Sequence, residues 1–467
     1  MIARLVDVPF NIDNRRTFFV LFLILLSIQI GLFCLYTNKI ILFSLIISLS
    51  VYIIIFFNSI HLSILLLLFL ISVFQEPRYK FEFMPLALSH VIVWMLLIPV
   101  FIYGIIQILL DKTVTLKSTY LSRLFFMFFI LTLVSFFVGI INQYDMNNII
   151  QDVLPFLYYL IFYVVLSSLK SEIEIKNFVT LLLTASLMVT LEFLYSFFSG
   201  QFSILSLGRI VTGQIHVITV AFSFLCSYFL YYKTGPKILS IILLIPMVSV
   251  LLISQTRGTW IACIIAGICN LYIFLYFKKV PTIKMVFFGF GLLVLLLLLF
   301  LSMKNVLGEK MLQLVKFRFD SIGSWDKDHS LLMRASQNQV VWNEFLKSPL
   351  WGRGFGSMAP VYYWQKLLWI DNSYLVLLWK MGLSGFFVYI SILIYSLKKS
   401  WYIINNTVNV FYRCFASGFF SAFSGFAVLG LISPVLIKYR FNLIWAVLFA
   451  CIEYVSIQIS RENLNEY

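Results

Sequence analysis

The chain has 467 residues, 62% of them apolar and 18% aromatic, while only 11% carry charge, against about 25% in an ordinary soluble domain. A mean hydropathy of +0.99, sustained along almost the whole length, excludes a water-soluble domain and leaves one polytopic membrane domain. The formal net charge of +15 does not point to nucleic acid as a partner, because Lys and Arg sit mostly in the short gaps between apolar runs, where they set topology.

A bilayer core about 30 Å thick needs roughly 20 apolar residues per helix. In chain order the runs that meet this are 17–36, 40–57, 60–74, 86–110, 121–141, 153–169, 177–198, 213–232, 238–254, 259–277, 283–303, 373–397, 409–432 and 439–459. The expected fold is therefore all-α, a transmembrane bundle of about 12–14 spans. The second and third runs are parted only by Asn58 and Ser59, and a re-entrant pair is the alternative there. Arg15-Arg16 before the first run lacks a following small-residue cleavage site, so that run reads as an uncleaved helix.

With the N-terminus inside, seventeen Lys and Arg fall in the inner gaps and seven in the short outer ones. The positive-inside rule then puts both termini in the cytoplasm. Residues 304–370 form the one sizeable polar segment, which parity assigns to the outer face. The expected organisation is 1–303 as an N-terminal bundle, 304–370 as an extracytoplasmic loop or lid, and 371–467 as C-terminal spans with a short cytoplasmic tail. The loop holds Trp325, Trp342, Trp351, Trp364 and Trp369 and should fold against the membrane surface. Leu331, Ala335, Trp342, Phe345 and Leu346 recur at helical spacing, which predicts an amphipathic helix over about 330–347. Pro349 and the run Gly352-Arg353-Gly354-Phe355-Gly356 end it.

Ionisable groups cost about 2.5–3.5 kcal/mol at the centre of a span on insertion scales, so those touching spans are the functional candidates. Arg257 sits in the outer turn Ser254-Gln255-Thr256-Arg257-Gly258. It is either an anchor that snorkels to headgroups or a planar fork of donors for a lipid-linked phosphate or diphosphate. Arg209 has the same chemistry in Gly208-Arg209-Ile210. Asp371 opens Asp371-Asn372-Ser373-Tyr374-Leu375 and is either a helix cap or a chemical group. Lys380 lies about 13 Å further along that helix at 1.5 Å per residue, and either a structural partner such as Glu192, a backbone carbonyl or substrate accounts for it. The glycine run at 352–356 follows no strand and precedes no phosphate-binding Lys, so it reads as a turn that lets backbone approach closely. Six scattered cysteines and four scattered histidines carry neither disulfide nor metal-ligand spacing.

The ordered set Gly208-Arg209 with Gly213, Ser254-Gln255-Thr256-Arg257-Gly258, a long loop with Arg334, Trp342 and Gly352-x-Gly354-x-Gly356, then Asp371-Asn372-Ser373-Tyr374-Leu375 and Gly382-Leu383-x-Gly385, resembles the O-antigen ligase and O-antigen polymerase superfamily over about 205–390. The resemblance implies a C-type glycosyltransferase fold in the bacterial cytoplasmic membrane. It implies an outward-facing reaction that moves an undecaprenyl-diphosphate-linked glycan onto an acceptor sugar, with no cofactor and no metal. Its partners would be donor, acceptor and bilayer, with a chain-length regulator and a flippase beside them. By the same resemblance Arg209 and Arg257 hold the diphosphate and Arg334 and Arg353 line the glycan channel. From its place at the membrane boundary Asp371 is the candidate to accept the proton of an acceptor hydroxyl, and Lys380, Asn372 and Tyr374 are candidate substrate contacts. The chain departs from the ligase pattern in carrying Asp371 where ligases show His, and Lys380 where Glu is common. That difference favours a repeat-unit polymerase for O-antigen, capsule or a teichuronic-type glycan over a ligase. A flippase or exporter would show internal repeats and interrupted helices around a midplane site, and no convincing repeat is visible. A non-enzymatic scaffold for envelope assembly is the remaining class.

Overall fold

The computed structural model describes residues 119–198, 215–232, 235–254, 256–278, 329–360, 366–437 and 439–465. All of them lie in the compact unit Ile64–Tyr467. The described helices are α1 (Tyr120–Ile141), α2 (Met146–Leu157), α3 (Ile161–Ser168), α4 (Glu172–Phe198), α5 (Ile215–Tyr231), α6 (Gly235–Ile253), α7 (Arg257–Lys278), α8 (His329–Leu346), α9 (Ser373–Asn406), α10 (Val410–Leu429) and α11 (Tyr439–Asn465). The fold is an all-α, multi-pass membrane bundle. Among the described residues six stretches are long and apolar enough to cross a membrane: α1, the run Met146–Ser168, and the bulk of α4, α7, α9 and α11; α5 and Lys237–Ile253 are shorter apolar helices. The predicted spans 17–36, 40–57, 60–74, 86–110 and 283–303 lie outside the described residues.

Local sequence explains where several helices start. Thr119 and Ser122 form a reciprocal capping box at α1, Asp145 caps α2, and Asn409 caps α10 through Phe411 N–H at 2.8 Å. Each side-chain oxygen satisfies an N–H that the first turn leaves orphaned. The predicted span 153–169 begins instead at Met146 and includes a 3-10 turn at Tyr158–Leu160. Asp145 supplies a start signal eight residues upstream of the apolar run, so the polar stretch Met146–Asp152 is helical too.

Where α10 meets α11 the core is aromatic. Phe419, Phe423 and Phe426 of α10 pack against Trp445 and Phe449 of α11 with ring centroids 4.8–5.9 Å apart in the pairs Phe423–Trp445, Phe426–Trp445 and Phe419–Trp445. On another side of α10, a Cβ on Gly425 would lie 2.5 Å from the carbonyl oxygen of Ala262 on α7, and one on Gly418 would lie 2.6 Å from the ring of Phe224 on α5. Small residues let helices approach closely where lipid offers no hydrophobic drive to associate. Asn270 of α7 joins the same three helices, accepting from Ser227 at 2.5 Å and Ser417 at 3.0 Å and donating to Ser223 O at 3.0 Å.

α8 forms where the hydrophobic spacing predicts it, but its buried side differs from the prediction. Gln337, Val341 and Phe345 face the protein, whereas Ala335, Trp342 and Leu346 are exposed. A two-residue antiparallel ladder, β1 (Ala359–Pro360) with β2 (Lys366–Leu367), follows it.

Candidate functional site

α9 is broken at Gly382, whose φ of 67° is left-handed. The break is filled by the loop. In an unbroken helix Leu383 N–H would donate to Trp379 O and Ser384 N–H to Lys380 O. Here Leu383 N–H donates to Pro349 O at 2.8 Å and Ser384 N–H to Leu350 O at 3.3 Å, while Trp379 O accepts from Arg353 N–H at 2.7 Å and Lys380 O from Gly354 N–H at 3.1 Å. Segment 349–354 thus supplies new partners for these four groups, as a backbone in a membrane requires. The fit demands glycine. Gly352, Gly354 and Gly356 all have φ between 74° and 84°. A Cβ on Gly352 would lie 2.5 Å from the carbonyl carbon of Lys380, and one on Gly354 would lie 2.6 Å from Gly139 N on α1. The two glycine motifs of the sequence are therefore one interlocked joint, and the turn reading of 352–356 holds.

Beneath the joint lies a carboxylate that the sequence reading missed. Asp152 of α2 is buried and accepts from Lys380 Nζ at 2.6 Å, Gly356 N–H at 2.7 Å and Trp369 Nε1 at 2.5 Å. Lys380 Nζ also donates to Ser357 O at 2.6 Å. The partner of Lys380 is Asp152, not Glu192. A signal was present: Ile149, Asp152, Val153 and Phe156 are the buried stripe of α2, so a carboxylate stands at an apolar position of a helical pattern. The 153–169 span boundary left Asp152 just outside.

The end of the bundle where α9 begins gathers several predicted residues. Asn372, not Asp371, caps α9, accepting from Tyr374 N–H and Leu375 N–H at 3.1 Å each. Asp371 is left to pair with Arg334 of α8, Nε to Oδ2 at 3.1 Å. Tyr374 donates its hydroxyl to Ala427 O at 2.7 Å. Arg353 Nε stands 3.6 Å from Glu344 Oε2. Ser373 N–H donates to Gly430 O at 2.8 Å, and Ser373 Oγ to Ser433 O at 2.9 Å. The start of α7 reaches the same corner, because a Cβ on Gly258 would lie 2.8 Å from Leu429 and 3.1 Å from Ile432. The turn before it is held by Trp260 Nε1 on Leu251 O at 2.7 Å and Thr259 Oγ1 on Thr256 O at 2.7 Å. Arg257, half-buried, is the first residue of α7. Arg209 and Gln255 lie outside the described residues.

Among the described residues no three His, Cys, Asp or Glu side chains come together as a metal site, and Cys226, Cys263, Cys269, Cys414 and Cys451 are free thiols. Comparison with curated proteins finds no match. A family model described as O-Antigen ligase matches residues 242–390, the stretch that holds the Arg257 turn, the loop joint, Lys380 and the Arg334–Asp371 pair. That match makes this region of the chain similar to the O-antigen ligase family and supports its resemblance to the O-antigen ligase and polymerase superfamily.

Proposed function

We propose that the protein polymerises undecaprenyl-diphosphate-linked oligosaccharide repeat units into a surface polysaccharide at the outer face of the bacterial cytoplasmic membrane. The observation that carries this reading is the convergence, inside the family-matched region, of the Arg257 turn and the Arg334–Asp371 pair at one end of the bundle. A guanidinium at a helix start, where the backbone dipole adds partial positive charge, suits a diphosphate. Arg209 is assigned beside it on the sequence resemblance.

In this reading an acceptor hydroxyl attacks the anomeric carbon of the donor sugar and the carbon–oxygen bond to the diphosphate breaks. The proton goes to Asp371, the glycan is joined to the acceptor, and undecaprenyl diphosphate leaves. The diphosphate is already a good leaving group, so the arginines act by electrostatic preorganisation toward the charge that develops on it. Arg334 orients Asp371, whose carboxylate takes the proton. Arg353 lines the glycan path. Lys380, Asn372 and Tyr374 act through structure: the first seats the loop, the second caps α9 and the third ties α9 to α10. The Asp at 371 favours polymerase over ligase chemistry.

The test is reconstitution with the lipid-diphosphate-linked repeat unit as both donor and acceptor. Growth of a ladder supports the polymerase. Transfer only when a different acceptor is supplied makes the protein a ligase, and movement of the lipid-linked unit across the bilayer without bond formation makes it a flippase.

A further inference from the structure

α8 presents an apolar row away from the protein. Trp342 and Leu346 are exposed on the side away from buried Gln337, Val341 and Phe345, and Leu350 and Trp351 continue them, at 63% and 51% exposure; exposed Gln339 separates this patch from Leu332 and Ala335 further along the helix. Scattered exposed apolar residues are ordinary, but a contiguous row marks a surface that something covers. Its place in the fold identifies the cover. Leu350 O accepts from both the N–H and the Oγ of Ser384 on α9. Ser384, Phe387, Ser391, Ile394 and Lys398 share one face of α9, and Phe387 and Ile394 are exposed at 59% and 49%. Leu350 therefore prolongs the outward stripe of a membrane-spanning helix.

Depth points the same way. Lys398 and Lys399 mark one boundary of the span, and Ser384 lies about 21 Å from Lys398 at 1.5 Å per residue, inside a hydrocarbon core of about 30 Å. The joint thus pins Leu350 and Trp351 within the apolar layer. α8 rises from there with Trp342 at the level where aromatic side chains favour the interface. Lys347, paired with Glu344 at 2.5 Å, has the reach to set its ammonium among headgroups.

We propose that the end of α8 and the turn after it, from Trp342 through Leu346 to Leu350 and Trp351, is immersed in the bilayer leaflet at the loop end of the bundle. The occupant of this surface is lipid. The loop is then seated in the membrane at the depth where a lipid-linked anion has its headgroup, and is not a free lid in water. This inference rests on the joint and the exposed row, and stands whether or not the polymerase reading does.

The experiment places nitroxides on the full-length protein in phosphatidylcholine nanodiscs, with native cysteines replaced, at Leu346→Cys, Leu350→Cys, Phe387→Cys and Asn343→Cys. Collisions with oxygen and with a water-soluble nickel chelate report depth. Leu350→Cys is expected to match Phe387→Cys, Leu346→Cys to sit about 5–10 Å below the headgroups, and Asn343→Cys to read as aqueous. Nickel accessibility at 346 and 350 equal to that at 343 overturns the proposal. So does strong label–label broadening with low access to both reagents, which assigns the face to a second copy. As a check without cysteine replacement, brominated lipid should quench less of the fluorescence in Trp342→Phe/Trp351→Phe than in the unaltered protein; an unchanged quenched amplitude overturns the proposal as well.

Discussion

Lys380 Nζ and Asp152 Oδ2 lie 2.6 Å apart, each side chain only 2% exposed. The pair joins α9 to α2 across 228 residues of sequence. Two more donors, Gly356 N–H and Trp369 Nε1, complete the carboxylate, so the charge is fully solvated by the protein. Removing one partner leaves the other buried and uncompensated, which costs about 3–5 kcal/mol. Asp152→Asn and Lys380→Met should each lower the thermal midpoint in detergent sharply. The double variant should lose less than the sum of the two, and a strictly additive result would mean that the residues do not compensate each other.

The joint at Gly382 gives a second expectation. Gly352→Ala and Gly382→Ala place a Cβ at left-handed φ and against backbone, at about 1–3 kcal/mol for the conformation alone. Both should speed limited proteolysis and hydrogen exchange across 347–357 together with 379–385, because the two segments share hydrogen bonds. Exchange confined to the mutated segment would argue against a shared joint.

Arg257→Ala is expected to abolish long glycan chains at normal protein level, a loss of about 2–4 kcal/mol of barrier stabilisation, or roughly thirty- to a thousandfold in rate. Arg257→Lys keeps the charge and loses the fork, so it should fall between the two. Unchanged ladders on gels in the alanine variant would remove Arg257 from the diphosphate site.

Asp371 and Asn372 are neighbours with separable roles. Asn372→Ala removes the α9 cap and should cost about 1 kcal/mol of stability with a modest change in rate. Asp371→Asn should leave the thermal midpoint nearly unchanged and lower the rate by about a hundredfold or more. Arg334→Ala should depress the rate in the same direction by releasing the carboxylate. Full activity of Asp371→Asn would leave that residue with a structural role only.

That the chain is helical and membrane-embedded was legible in its amino-acid order, because period and hydropathy are local properties of each apolar run. The starts of α1, α7 and α9, the helix at His329–Leu346 and the turn-forming glycines were legible for the same reason. Tertiary structure alone decided that the 352–356 glycines fill the break at Gly382, that Lys380 answers Asp152 and not Glu192, and that Asn372 caps α9 while Asp371 turns to Arg334. It also decided which side of α8 is covered, since Trp342 and Leu346 share their hydrophobicity with Phe345 but not its direction. These are pairings between residues tens to hundreds of positions apart, and a one-dimensional pattern records which residues need partners without recording which partners they find.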